Sequence, residues 1–233
     1  VIFKLNDTNG KNVSFDPKSS CHVASWVRSK ACEVSRDYDW PGGSEVFVAG
    51  HAKGNETAPR LAYIPIPSIG HRYADNRIRR VMIAAFGGSG LREYANMIGG
   101  LLVGEPVTDV DKNVMAVLAR CEPDGVTSQY LGKSDRWLSV TPMVLPGYCN
   151  GRLSKAVSLI SKSLDRAGLS NLVEKCEISR SPFFGPLPRC WDSKARYKNK
   201  PFVFVKLRFR KPVSGPVCLG SARYAGLGVF ARD

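Results

Sequence analysis

Leu61-Ala-Tyr-Ile-Pro-Ile66 and Ile78-Arg-Arg-Val-Met-Ile-Ala-Ala-Phe86 are two β-rich runs joined by a polar turn that holds Gly70-His71-Arg72-Tyr73. Runs of this composition on either side of a glycine turn read as a β-hairpin. Upstream, residues 1–5 alternate as a short strand. Asp16-Pro17 then supplies a helix start, a capping carboxylate followed by proline at the first helical position. Val23, Trp26, Val27, Ala31 and Val34 recur at helical spacing behind it. Pro41-Gly42-Gly43 and residues 50–59 read as loop. Downstream of the hairpin, Ser89 is placed to cap a helix carrying Leu91, Tyr94, Ile98 and Leu101, and residues 114–119 form another strand. The order is β-α-β-β-α-β, the ferredoxin-like unit.

The second half repeats the pattern more loosely. Residues 137–145 are strand-like. Residues 151–168 form the clearest helix, with Leu153, Val157, Ile160 and Leu164 on one stripe and Gly168 as the stop. Residues 172–178 are strand-like, residues 179–200 a basic, proline-containing connector, and residues 202–210 a long strand. Alternation along that strand sets Val203, Val205, Leu207 and Phe209 on one side and Phe202, Phe204, Lys206, Arg208 and Arg210 on the other. A glycine-rich turn and a strand at 227–230 close the chain. The expected fold is therefore α+β: tandem ferredoxin-like (RRM-like, βαββαβ) domains over 1–125 and 126–233, with a C-terminal glycine-rich loop.

The 233 residues are 43% hydrophobic and 23% charged, the balance of a chain that buries a core. That excludes a disordered tail, a fibre and a disulfide mini-protein. The longest charge-free apolar stretches, 94–104 and 137–151, are too short or too broken by Pro and Gly to span a bilayer. Seven cysteines, scattered and without a C-x-x-C pair, support neither zinc nor a redox pair and suit a reducing cytoplasm. Val1 is not an initiator Met, so a longer parent protein is expected. The net charge is +14, and it is uneven: residues 1–120 carry 15 basic and 12 acidic side chains, residues 121–233 carry 19 and 8. A one-sided positive field points first to nucleic acid as partner.

Residues 215–230 read Gly-Pro-Val-Cys-Leu-Gly220-Ser-Ala-Arg223-Tyr224-Ala-Gly226-Leu-Gly228-Val-Phe. Glycines allow positive φ and close approach to a ligand, and backbone N–H groups in such turns cradle phosphate oxygens. Leu-Gly-x5-Gly-Leu-Gly with a basic residue among the five resembles the glycine-rich loop of the RAMP superfamily of CRISPR-associated RNA-binding and repeat-processing proteins. Gly50-His51, the stretch from Leu61 through His71, Arg72, Tyr73 and Asp75 to Ile78, and Trp137-Leu-Ser-Val-Thr-Pro-Met-Val-Leu145 extend the likeness. They resemble the repeat-processing endoribonuclease half of the fused subunit of type I-G (formerly I-U) effectors, with the five-prime-handle-capping half missing.

The resemblance implies a metal-independent endoribonuclease that cuts the repeat of CRISPR precursor RNA. The ribose 2′-hydroxyl attacks the adjacent phosphate and leaves a 2′,3′-cyclic phosphate. The enzyme keeps its mature crRNA as an effector subunit. Implied partners are repeat RNA, other effector subunits and a capping half on the same or another chain; no cofactor, metal or membrane is implied. Such chemistry needs a base, an acid and positive charge on the phosphorane, and imidazole suits the proton steps. Of the three histidines, His51 is expected to be catalytic, with Lys53 near it; His71 is the second candidate, as its partner or as a substrate contact. His22 reads as structural. The branch carries a further His before the second strand; here Pro59-Arg60 stands there, so either a partner role is lost or Arg60 supplies charge alone.

The stretch from Arg189 to Lys211 holds nine Lys/Arg and one Asp. Lys206, Arg208 and Arg210 beside Phe202 and Phe204 combine phosphate-binding charge with stacking rings. The expected RNA contacts are therefore Arg60, Arg72, Tyr73, Lys206, Arg208, Arg210, Gly220, Arg223, Tyr224, Gly226 and Gly228. Asp37-Tyr-Asp39 and Asp109-Val-Asp111 read as solvated turns ahead of magnesium ligands. Walker-type, Gly-x-Ser-x-Gly and His-Glu-x-x-His motifs are absent from the sequence. The alternative reading is a crRNA-holding subunit that does not cut.

Overall fold

Two antiparallel sheets, each backed by helices, meet face to face. The computed structural model describes residues 1–51, 58–88, 90–185, 187–188, 191, 197 and 199–233. The fold is mixed α+β.

The first sheet holds β1 (Ile2–Asn6), β2 (Arg60–Pro67), β3 (Ile78–Phe86), β4 (Pro106–Thr108) and β5 (Val114–Cys121), in the order β2-β3-β1-β5-β4. Every neighbouring pair is antiparallel. Helices α1 (Ser20–Val34) and α3 (Arg92–Leu101) cover one face. Val23, Val27 and Ala31 of α1 and Ala95 and Ile98 of α3 bury against Phe3, Leu5, Leu61, Tyr63, Val81 and Ile83. The Asp16 carboxylate accepts from the Lys18 N–H at 2.8 Å and opens a 3-10 turn, Pro17–Ser19, that runs into α1. The stretch expected to be loop between α1 and β2 contains a one-turn helix, α2 (Ser44–Phe47), held by stacking of Phe47 on Trp40. The expected cap Ser89 lies outside the described residues; Leu91 occupies the N-cap of α3.

In the second half, α4 (Gly125–Leu131) precedes β6 (Lys133–Ser139) and β7 (Met143–Val144), followed by α5 (Leu153–Arg166), β8 (Val173–Ser179), β9 (Phe202–Ser214), β10 (Val217–Cys218) and β11 (Val229–Arg232). β9 is the spine: β6, β7 and β8 all pair with it, and β11 pairs with β6. Numbering the main strands within each half as first to fourth, both halves run fourth-first-third-second across the sheet. The single strand expected at 137–145 is broken in two because Pro142 has no N–H to give a ladder. Side-chain hydroxyls bridge the break: Ser139 Oγ accepts from the Val205 N–H at 2.8 Å, and Thr141 Oγ1 from the Val229 N–H at 2.9 Å. Where the first half has α3, the second has only β10 and the glycine-rich residues 219–228.

Ile2, Ala62, Ile64, Ile66 and Met82 of the first sheet pack on Tyr130, Val140, Cys218, Val229 and Ala231 of the second half. β2 is an edge strand, yet all eight of its residues are buried. Its outer edge carries Pro65 and Pro67, which offer no N–H, and is covered by the glycine-rich segment: the Tyr63 N–H donates to Tyr224 O at 3.4 Å. Among the described residues no helix is long and apolar enough to cross a membrane, and six cysteines are free thiols.

Candidate nucleic-acid interface

At the Arg60 end of β2, three distant parts of the chain converge. Arg28 comes from α1, Gly50 and Arg60 from the connection into β2, and Ser221 and Tyr224 from the glycine-rich segment. Together with Tyr63 and Tyr197 they line a cavity of about 90 Å³. The Arg60 guanidinium lies 4.7 Å from the Tyr224 ring centroid and that of Arg223 4.5 Å. Arg223 Nη2 also donates to the Tyr224 hydroxyl at 2.9 Å, and Phe86 meets the ring edge-on. Both arginines are buried. Stacking on an aromatic face keeps such guanidinium groups oriented where water is scarce.

His51 follows Gly50 directly and is exposed; its N–H donates to Glu45 O at 2.8 Å. Gly50, the neighbour of His51, lines the cavity with Arg60 and Tyr224, and Arg223 stacks on the same Tyr224 ring. Lys53 lies outside the described residues.

His71 lies elsewhere. It sits in the β2–β3 turn beside a cavity of about 510 Å³ lined by Gly70, Arg72, Asn76 and Phe184. The Tyr73 N–H donates to its Nδ1 at 3.2 Å, so Nδ1 is an acceptor and the neutral ring carries its proton on Nε2, 2.9 Å from Ser68 Oγ. Arg72 stacks on Tyr73, whose ring is 80% exposed. β2 runs from the Arg60 cavity to the turn that carries His71, and its seven residue steps at ~3.3 Å put its two ends on the order of 20 Å apart. His71 with Arg72 and Tyr73 makes a second, cationic and aromatic, surface. At its base Asp75 bridges both guanidinium nitrogens of Arg79 at 2.7 and 2.6 Å. That pairing holds the Asp75 carboxyl down to about 2.

The glycine-rich segment is not an open cradle. Gly220, Gly226 and Gly228 are buried and each has positive φ. A Cβ on Gly226 would lie 2.8 Å from Ser20 O and 3.0 Å from both Ala24 Cβ and Pro65 Cδ; one on Gly220 would lie 2.6 Å from Val144 O. The N–H groups of Ser221 and Gly228 donate to Val144 O and Pro142 O. The glycines permit close approach of backbone to α1, β2 and β7, and Ser221, Tyr224 and Ala225 of this segment reach the cavity.

The basic strand is placed as its alternation predicts at Lys206, Arg208 and Arg210, which face outward. Its expected aromatic partners are not available there: Phe204 is buried and Phe202 half-buried under neighbouring elements. In their place stand cations from adjacent strands. Arg136 of β6 and Lys175 of β8 both pair in register with Arg208, and the four basic side chains line a shallow depression with Glu177. Asp233 meets Lys206 at 3.0 Å and Glu174 meets Arg208 at 3.2 Å; both pairs are exposed and weakly held. Arg136 and Lys175 carry no signal in sequence, since register across strands, not spacing along one, makes them neighbours. Arg28 is equally silent, one cation on the polar side of a helix.

In the acidic pair of the β4–β5 turn the Asp109 carboxylate is engaged within its own turn. Asp109 accepts from the N–H groups of Asp111 and Asn113 and from Asn113 Nδ2, which closes the β4–β5 turn. Among the described residues no group of three or more His, Cys, Asp or Glu side chains is arranged to hold a metal ion. Comparison with curated proteins gives no match. Residues 26–232, which include every side chain of the cavity and of the basic sheet face, match the family described as "CRISPR-associated protein, GSU0054 family". The chain belongs to the GSU0054 family of CRISPR-associated proteins.

Proposed function

We propose that this chain is a metal-independent endoribonuclease that cleaves CRISPR precursor RNA within the repeat and retains the mature crRNA as a type I effector subunit. The observation that carries the reading is the convergence at the Arg60 end of β2. Two guanidinium groups stacked on the Tyr224 ring meet beside a small cavity lined by Gly50, the neighbour of the exposed His51. In the reaction the 2′-oxygen bonds to phosphorus and the P–O5′ bond breaks. The 2′-proton passes to a base and the leaving O5′ gains a proton, so no water is consumed. His51 is the proton-transfer group and Arg60 neutralises charge at the phosphorane. The net charge of +14 and the sheet face of Arg136, Lys175, Lys206 and Arg208 provide the grip on the repeat. Arg210 extends that grip, and Arg72 and Tyr73 bind a separate part of the strand. The scaffold is a tandem ferredoxin-like pair divided near residue 125, supported by the shared fourth-first-third-second strand order. The partners are repeat RNA, the other effector subunits of the type I-G class and a capping half.

A second reading, a subunit that holds crRNA without cutting, is favoured by one observation. His71 lies in the turn at the far end of β2 from the cavity, and no imidazole is among the described lining residues, His51 being only the neighbour of Gly50. Incubation of repeat RNA with the protein in EDTA separates the two. Under the first reading a 2′,3′-cyclic phosphate product forms and His51→Ala abolishes it. His71→Ala alters affinity and leaves the single-turnover rate within a few-fold. Tight binding with no cutting at any pH establishes the second.

A further inference from the structure

The turn between β2 and β3 holds a side chain that the fold leaves unused. Asn76 is buried, 9% exposed, and lines the cavity of about 510 Å³ beside His71. Its backbone is engaged: the Asn76 N–H donates to Ser68 O at 2.9 Å. Its side-chain amide forms no hydrogen bond among the described residues. Nor is either amide atom sealed away without a partner, as Asn6 Oδ1 is. The amide therefore opens onto the cavity that Asn76 lines. Asn76 has φ +61°, a conformation that asparagine tolerates. Glycine would serve that conformation equally well, so the backbone alone does not call for an amide at this place. A buried donor and acceptor without partners are unfavourable until water or a ligand completes them.

The neighbours of the amide indicate which ligand. Arg72 lines the same cavity, and its guanidinium stacks on the exposed Tyr73 ring at 5.5 Å from the centroid. Ile69, Ala74 and Phe184 give an apolar wall, and none of the described lining residues is acidic. The nearby Asp75 carboxylate is taken up by Arg79. Proteins hold unstacked RNA bases with these parts: a guanidinium or aromatic plane for the face of the base and polar groups for its edge. At about 510 Å³ the cavity lies within the range of small-ligand sites, roughly 300–1,000 Å³, so it admits a base. The choice of base comes from the amide. An amide presents a donor beside an acceptor, and adenine presents the complement, its exocyclic amino group beside an acceptor ring nitrogen.

The parts are fixed in advance by the turn. His71 Nδ1 accepts from the Tyr73 N–H at 3.2 Å, and His71 O accepts from the Ala74 N–H at 3.0 Å. The Arg77 guanidinium ties the base of the turn to Ser14, donating to its Oγ at 3.2 Å and its O at 2.9 Å.

We infer that Arg72 and Asn76 bind one unpaired nucleobase of RNA, adenine before the others. The base stacks on the Arg72 guanidinium, which Tyr73 backs, and its edge meets the Asn76 amide. The inference rests on the RNA-binding part of the reading above and not on cleavage.

The test measures fluorescence anisotropy of labelled oligoadenylate and oligouridylate of equal length, in EDTA, over a range of salt. The wild type is expected to prefer oligoadenylate. Asn76→Gly keeps the backbone conformation and removes the amide; it should weaken oligoadenylate by roughly 5–150-fold and leave oligouridylate within a few-fold. Asn76→Asp keeps the shape, replaces the donor by a second acceptor and should lose the same preference. Arg72→Lys keeps the charge and removes the plane, so it should weaken both oligonucleotides with the salt slope unchanged. If the preference exists and Asn76→Gly abolishes it while the wild type cuts no repeat RNA, the base site stands and the endoribonuclease reading falls. If the wild type cuts repeat RNA but has no adenine preference, or all three variants bind both oligonucleotides as it does, the inference is overturned while the enzyme remains. Unchanged RNA affinities with loss of an effector subunit in these variants overturn it as well, and make the turn a protein contact.

Discussion

Replacing Gly226 by Ala tests what the glycine-rich segment is for. Two costs add. The first is conformational: Gly226 has φ +83°, where a Cβ costs roughly 1–2 kcal/mol. The second is steric. The new methyl would sit 2.8 Å from the Ser20 carbonyl and 3.0 Å from both Ala24 Cβ and Pro65 Cδ, atoms of a helix and a proline ring that have little room to move. Overpacking of this kind costs typically about 1–3 kcal/mol. The sum is about 2–5 kcal/mol, and at roughly 2–4 °C per kcal/mol for a chain of this size the melting temperature should fall by roughly 4–20 °C. Gly10→Ala isolates the first cost, because Gly10 has φ +81° and nothing within 4 Å of its Cβ position. Urea unfolding followed by circular dichroism should therefore rank Gly226→Ala well below Gly10→Ala. Repeat-RNA cleavage should fall too, since the displaced helix lines the cavity with Gly50 and Arg60. Equal stability losses in the two variants, with RNA binding abolished only in Gly226→Ala, would refute the packing role and return the segment to a phosphate cradle.

Removing Arg136 and Lys175 together should weaken RNA binding across sequences and flatten the dependence of log affinity on log salt by about 1.4–1.8, the share of two phosphate contacts; an unchanged slope in filter binding would remove them from the interface. Tyr224→Leu should cost about 1–4 kcal/mol in urea unfolding, because it removes the ring on which Arg60 and Arg223 both stack, at roughly 0.5–2 kcal/mol each. Tyr224→Phe keeps the ring and should lose only the Arg223 hydrogen bond. In an acid titration followed by carboxyl NMR, Asp75 should titrate near 2, well below an ordinary aspartate near 3.9. Because its folded value is depressed, the Asp75–Arg79 contact supports the turn carrying His71 at every pH above about 4 and is lost as pH falls through about 2; Arg79→Ala should restore an ordinary value.

Local pattern made the main elements legible. The hairpin of β2 and β3, the helix opened by Asp16-Pro17, the helix α5 ended by Gly168 and the outward charges of β9 follow from periodicity and capping, which act within a few residues. The apolar stripe of α5 differs from the expected one: Ala156, Leu159, Ile160, Ser163 and Leu164 are buried while Leu153 and Val157 are exposed. The breaks were less visible. Thr141-Pro142 interrupts a strand only because a neighbouring strand lies beside it to receive the side-chain hydroxyls. Phe202 and Phe204 alternate with the basic residues as expected, yet what covers them is set by other parts of the chain. The short helices α2 and α4 rest on tertiary partners, Trp40 for the first and the inter-sheet core around Tyr130 for the second.

The sequence by itself determined the α+β class, the concentration of positive charge in the second half and the identity of His51, Arg60, Arg223 and Tyr224 as candidates, because composition, period and motif are properties of residues near one another in the chain. Tertiary structure decided which of them meet. It put His71 at the far end of β2 from the Arg60 cavity and turned the glycines from a cradle into a packing surface. It also brought Arg28, Arg136 and Lys175 into sites that no spacing announces. The physical reason is that charge and shape act through space, over a few ångströms between side chains that strand register and helix packing bring together from positions scores of residues apart.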